Sequence, residues 1–209
     1  MLAGPRPDLE VVGVKDLGSP PEIAETEDTF HGNAALKAVG IAEWLRGQGA
    51  PGDDLVLSDD SGICIDAFDG RPGVYSARYA GPDATDEDNN ARMVAELGSL
   101  GLERSAAHYA CVLALARVDG AALSVPEAAL ISAHGGALCV EGRCEGFVRT
   151  ARRGEGGFGY DPHFWVDDDA RTFAELTREA KAARSHRGAA LRRLLTVIDP
   201  LLDTPPAVQ

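Results

Sequence analysis

The chain reads as a mixed α/β protein, of the α/β or α+β class. Segments of strand and helix periodicity alternate along its 209 residues. The run Tyr109 to Val118 is long, apolar and partly β-branched, as a central strand should be. No repeat, heptad pattern or low-complexity linker divides the chain, so we expect one domain over residues 1–203 and a frayed tail at 204–209.

Leu9 to Val14 predicts a short strand. Asn33 to Arg46 predicts a helix whose apolar face is Ala34, Leu36, Ala38, Ile41, Ala42 and Leu45, with Thr29 or Asn33 as cap. Gly47 to Asp54 is a polar loop. Leu55-Val56-Leu57 and Ile63 to Ala67 predict two short strands around an acidic cluster. Gly70 to Gly81 is turn-rich, and Asp86 to Leu97 predicts a helix. After the central strand, Ala129 to Val140 is its expected hairpin neighbour, bent at Gly135-Gly136. Phe147 to Ala151 and His163 to Val166 are further strands on either side of a glycine loop. Glu175 to Leu202 is helical, interrupted near Ser185 and ended by Pro200 at the latest.

A hydrophobic share of 44% and a charged share of 25% are ordinary for a soluble globular protein. No apolar run reaches the ~18 residues of a membrane span, and the first residues lack the regions of a signal peptide. Four cysteines without such a signal are expected as reduced thiols in a cytoplasmic protein, and the Cys139–Cys144 spacing does not match a zinc pair. The net charge of -13 argues against a nucleic-acid or membrane-surface binder. It leaves room for a small polyphosphate accompanied by a divalent metal.

Three clusters carry chemistry. Ser58-Asp59-Asp60-Ser61-Gly62 offers hard oxygen ligands suited to Mg²⁺, although such a run also makes a solvated turn. Neighbouring carboxylates on a strand point to opposite sides, so one of the two faces a given site. Glu25 is a second candidate ligand, or a first-turn charge set against a helix dipole. Gly154 to Pro162 places Gly154, Gly156, Gly157 and Gly159 where a ligand can approach bare backbone. It is not a Walker A loop, because no Gly-Lys-Ser/Thr follows. Its Phe158 and Tyr160 are either stacking faces for a base or core aromatics of a hairpin. Ser185-His186-Arg187-Gly188 sits near a helix start, where Arg187 can read a carbonyl or phosphate and Lys181 adds a point charge; a solvated helix face is the plainer reading.

Taken in order, these pieces resemble the inosine/xanthosine triphosphate pyrophosphatase family from about Leu2 to Leu195. The resemblance is carried by Glu25 to Phe30 with Asn33-Ala34 and Lys37-Ala38, by Asp59 to Ile63, and by Gly70 to Gly81. Gly157 to Pro162, Ala174-Glu175-Leu176, Lys181 and Ser185 to Gly188 complete it. It implies an elongated mixed sheet flanked by helices in two lobes, with a cleft between them, in a homodimer. It also implies hydrolysis of dITP, ITP and XTP to the monophosphate and pyrophosphate. Carried over residue by residue, Glu25 and Asp60 would hold Mg²⁺, and Asp60 would be the base for the attacking water. Ser61, Gly159, Tyr160, Asp161 and Lys181 would contact substrate, Phe158 would stack on the purine, and His186 and Arg187 would address its 6-oxo edge.

The family pattern begins with a strand and a Ser/Thr-x-Asn-x-x-Lys phosphate loop that this sequence lacks. Met1-Leu2-Ala3-Gly4 resembles the end of the following helix. On that ground the chain is expected to be destabilised and weakly active or inactive, and a silent nucleotide-binding or dimerisation protein is the competing reading. Glu27 stands where the family usually has glycine, with little expected effect. A pyrophosphatase of modified pyrimidine nucleotides fits the Ser-His-Arg cluster less well.

Overall fold

A computed structural model describes residues 10–123, 131–166 and 170–203. Its centre is β2 (Arg104–Arg117), paired antiparallel on one side with β1 (Leu55–Ile65) and on the other with β4 (Ala137–Arg149). Along the far edge of β4 lie first β3 (Ile131–His134) and then β5 (Phe164–Val166), which pairs with β6 (Arg171–Thr172). Helices flank the sheet, so the mixed α/β class holds, but every pairing among the described residues is antiparallel where a mixed sheet was expected.

Strand alternation decides which helix packs where. Val112, Ala114 and Ala116 of β2 face α1 (Phe30–Gly47), whose Ala34, Ala35, Ala38 and Ala42 let the helix approach closely. Leu115 faces the other way, toward Leu194 and Val197 of α4 (His186–Asp203). The opposite half of the sheet builds a separate cluster with Met93 and Leu97 of α2 (Asp86–Ser99) and the aromatics Phe68, Phe164 and Phe173. Asp60 lies on β1 between Val56 of the first cluster and Ile63 of the last.

Several expectations are corrected. Residues 10–14 form no strand, and Val14–Leu17 is a short 3-10 turn; the stretch is mostly exposed and pairs with no strand among the described residues. The two short strands around the acidic cluster are one continuous β1, because Ser58 to Ser61 pair with Cys111 to Ala114 of β2. Ala129 to Val140 is not one strand: Gly135 and Gly136, with φ of 53° and 89°, turn the chain between β3 and β4. Ala129 and Leu130 lie outside the described residues. Phe147 to Arg149 closes β4 rather than forming a new strand. The final helix breaks at Ser185, after α3 (Arg178–Arg184), but α4 runs through Pro200 to Asp203. A proline so near the end forfeits a single backbone bond. The Met1 to Gly4 helix end and the 204–209 tail lie outside the described residues. The four cysteines are free thiols, and no described helix is long and apolar enough to cross a membrane.

Candidate active site

The acidic end of the site is assembled on α1. Thr29 caps this helix by accepting from Gly32 N. Asn33 is buried in the first turn and brackets Glu27, accepting from its N–H at 3.0 Å and donating to its carbonyl at 3.1 Å. The segment before the helix is thereby pinned alongside it, and Glu25 is carried to Lys37, one turn beyond Asn33. Lys37 Nζ donates to Glu25 Oε1 at 3.1 Å and to Asp60 Oδ1 at 3.2 Å. Arg78, at the end of a 3-10 turn over Gly73–Arg78, reaches Glu25 Oε2 at 3.2 Å.

Asp60 is 7% exposed, and its second oxygen, Oδ2, is buried without a hydrogen-bond partner. Burial raises its pKa against the opposing pull of Lys37 and Asn33. Glu25 is also penalised by burial, but Lys37 and Arg78 outweigh that and leave its carboxyl lowered. Two carboxylates meeting at one cationic position, one with an orphaned buried oxygen, fit a divalent cation that completes its shell with water and phosphate. Among the described residues no group of three or more such ligands occurs. The protein would therefore supply two. Ser61 follows Asp60 on β1, half-buried and in register with Cys111.

The other end is built on the glycine loop. Gly157 has φ of 82°, and a Cβ there would collide with the Asp161 carboxylate. That contact lets Asp161 Oδ2 accept from Phe158 N at 2.8 Å while it pairs with Lys181. Burial raises the Asp161 pKa, with Lys181 opposing. Gly159 N donates to Asp86 Oδ2 at 2.6 Å, and Asn90 Nδ2 donates to Gly159 O at 2.9 Å. The Phe158 ring is 59% exposed, with Lys181 Nζ 4.3 Å and the Arg187 guanidinium 5.6 Å from its centroid. Tyr160 is placed differently. Its ring is 4% exposed and its hydroxyl donates to Ser76 O at 2.9 Å, so the ring belongs to the core and offers no stacking face.

At the α3–α4 elbow, Ser185 Oγ accepts from Gly188 N at 3.1 Å and caps α4. His186 turns inward and stacks on Tyr109, with ring centroids 4.7 Å apart. Burial, reinforced by Arg187 and Lys181, lowers its pKa to about 3, so the imidazole is neutral at ordinary pH. Its Nδ1 is buried without a partner. Arg187 turns outward and donates to Asp59 Oδ2 from Nε at 3.3 Å and Nη2 at 3.2 Å.

Asp59 and Asp60 face opposite sides of β1, as neighbouring strand residues must. Asp60 faces α1 and the acidic end; Asp59 faces α4 and the base-reading end. β1 is the outer strand of the sheet among the described residues, so the two ends flank its edge. Lys37 and Arg78 were not singled out as site residues by sequence reasoning, and Asp59 was weighed there only as a metal-ligating carboxylate beside Asp60, not as the partner of Arg187. Lys37 carried a signal in its i+4 spacing from Asn33; the partners of Arg78 and Asp59 lie too far away in sequence to leave one.

The chain has known relatives in sequence and fold. The sequence pattern of the Ham1 family matches residues 1–197. A dITP/XTP pyrophosphatase of Bacillus anthracis is 41% identical over 187 residues, which are 90% of this chain and 83% of the relative. The structure of a HAM1 protein from Coxiella burnetii superposes with a TM-score of 0.78 at 35% identity, covering 95% of this chain and 91% of that one. The Staphylococcus aureus Ham1 protein superposes with a TM-score of 0.76 at 32% identity, over the same shares. A match of that length and quality leaves one assignment: the chain belongs to the Ham1 family.

Proposed function

We propose that this protein hydrolyses non-standard purine nucleoside triphosphates (dITP, ITP and XTP) to the monophosphate and pyrophosphate, clearing them from the nucleotide pool. The observation that carries this reading is the buried Asp60. One oxygen is committed to Lys37 and the other is free to accept a hydrogen bond from a water or to ligate a cation. Family membership and the names of the relatives support the same reaction.

Glu25 and Asp60 would hold Mg²⁺. When bound, the ion offsets charge developing on the phosphate oxygens. Asp60 Oδ2 then orients the attacking water and accepts its proton, while Lys37 stays on Oδ1 and keeps the carboxylate in place. Lys181, Ser61 and the backbone of the glycine loop contact substrate, and Phe158 stacks on the purine. Arg187 presents Nη1, outside its pair with Asp59, to the 6-oxo group, while His186, expected beside it at that edge, is buried against Tyr109 and anchors the turn that carries Arg187. A donor aimed at a 6-oxo oxygen is left unpaired against the 6-amino group of adenine, which disfavours dATP strongly. Tyr160 contributes through its backbone.

The same reading includes a cytoplasmic homodimer built from one domain over residues 1–203, with no nucleic-acid or membrane partner. The charge of -13 supports the last point. Steady-state pyrophosphate release from dITP, ITP, XTP, dATP and dGTP with Mg²⁺ tests the assignment. A kcat/KM for dITP about 10²-fold or more above that for dATP is expected; equal values would refute it.

A further inference from the structure

Helix α2 carries no residue that the proposed chemistry touches, yet its polar side chains hold both loops of the site. Asn89, buried, donates to Ala77 O at 3.0 Å and accepts from Ala80 N at 2.7 Å, bracketing Arg78. Asp86 and Asn90 take the two sides of Gly159, its N–H and its carbonyl. Their spacing of four puts them on one face of the helix.

The helix that carries them is well fixed. Thr85 and Asp88 form a reciprocal cap at its start, and Met93 and Leu97 are fully buried in the core below. The loop, by contrast, leaves Phe158 largely exposed, so packing does not fix the ring. Backbone bonds at Phe158 and Gly159 do. Asn90 also buries its Oδ1 without a partner, which carries a desolvation cost that an apolar residue would avoid. Filling space is therefore a poor account of this side chain, and its bond to Gly159 is a better one.

We propose that α2 is the positioning element of the site. Asp86 and Asn90 set the place of Phe158 by holding Gly159, and Asn89 references that place to Arg78 and hence to Glu25. A substrate gripped at both ends requires a fixed distance between them, and α2 spans the two loops as a rigid strut. This proposal rests on the pyrophosphatase reading, and it adds Asp86, Asn89 and Asn90 as positioning residues for it.

The test combines amide hydrogen exchange with kinetics on the full chain carrying Asp86→Ala, Asn90→Ala or Asp86→Asn. Exchange at Phe158 and Gly159 should rise by roughly 10-fold in the alanine variants, while residues 112–118 of β2 keep their protection. KM for dITP should rise about 5- to 30-fold with kcat within about 2-fold, the pattern of lost binding rather than lost chemistry. Asp86→Asn keeps an acceptor oxygen and should restore both readouts. In a Phe158→Ala background, Asn90→Ala should raise KM by a smaller factor than in the parent, because part of its effect passes through that ring. Unchanged loop exchange, or a KM effect of full size without Phe158, would overturn the proposal. A parent protein that fails to hydrolyse dITP refutes the pyrophosphatase reading instead, and exchange at Gly159 still decides the clamp.

Discussion

Arg187 grips the carboxylate of Asp59 through two nitrogens, at 3.2 and 3.3 Å, across 128 residues of sequence. The same guanidinium lies 5.6 Å from the Phe158 ring centroid, so it ties β1 to the aromatic platform. An exposed ion pair of this kind contributes only ~0–1 kcal/mol to stability. Its consequence is the direction in which Arg187 points.

Asp59→Ala should therefore leave the unfolding free energy within about 1 kcal/mol of the parent. It should narrow the preference for dITP over dATP, because Arg187 loses its orientation. Denaturant titration and paired kcat/KM measurements check the two halves. Unchanged discrimination would sink this role for Asp59.

Phe158→Ala removes an exposed ring, so stability should shift by no more than about 0.5 kcal/mol. Base stacking on an aromatic side chain contributes ~1–3 kcal/mol. We expect KM for dITP to rise roughly 5- to 150-fold, which is that energy expressed as a ratio. A calorimetric or kinetic titration that finds parental affinity would count against the platform.

Gly142 is where α4 touches the sheet: a Cβ there would strike the His186 carbonyl and the Ala190 backbone nitrogen. Backbone cannot swing aside as a side chain can. Gly142→Ala should cost about 1–3 kcal/mol, the usual range for overpacking. Because the displaced turn carries His186 and Arg187, activity toward dITP should fall as well. A lower urea midpoint at unchanged m-value is the expected signature.

His186 gives the protein a specific sensitivity to acid. Its folded pKa is about 3, against about 6.5 for a free imidazole. The unfolded chain thus binds a proton that the fold refuses. Stability from the neutral ring is complete above pH ~6.5 and is lost as pH falls toward about 3, by up to ~1.4 kcal/mol per unit. Thermal midpoints taken from pH 7 down to pH 4 should fall more steeply for the parent than for His186→Gln. Equal slopes would show that His186 does not titrate in this way.

Much of the site was legible in the sequence because its pieces are local. Thr29 as cap, the alanine face of α1, the glycine loop and the Ser185 elbow all follow from short-range patterns. What was not legible depends on distant partners. Ser58 to Ser61 has turn-forming composition, yet pairing with Cys111 to Ala114 makes it a strand interior. Phe158 and Tyr160 flank one glycine and look equivalent. The Ser76 carbonyl, 84 residues from Tyr160, draws that ring into the core and leaves Phe158 outside. Leu9 to Val14 has strand composition, but residues 10–14 lie mostly exposed and pair with no strand among the described residues. Propensity alone could not supply those partners.

The central claim is that Asp60 performs the chemistry, and the most direct test is pyrophosphate release from dITP with Mg²⁺ by the parent and Asp60→Asn. Burial raises the Asp60 pKa in the fold, so the protonated form is the one the fold favours. Stability linked to that proton is present below the unfolded pKa and lost as pH rises through the folded one. At neutral pH, Asp60→Asn should thus be at least as stable as the parent, which makes lost activity interpretable. The account predicts turnover by the parent and a loss of at least ~10²-fold in Asp60→Asn at an equal or higher thermal midpoint. Parental turnover by a folded Asp60→Asn protein would contradict it.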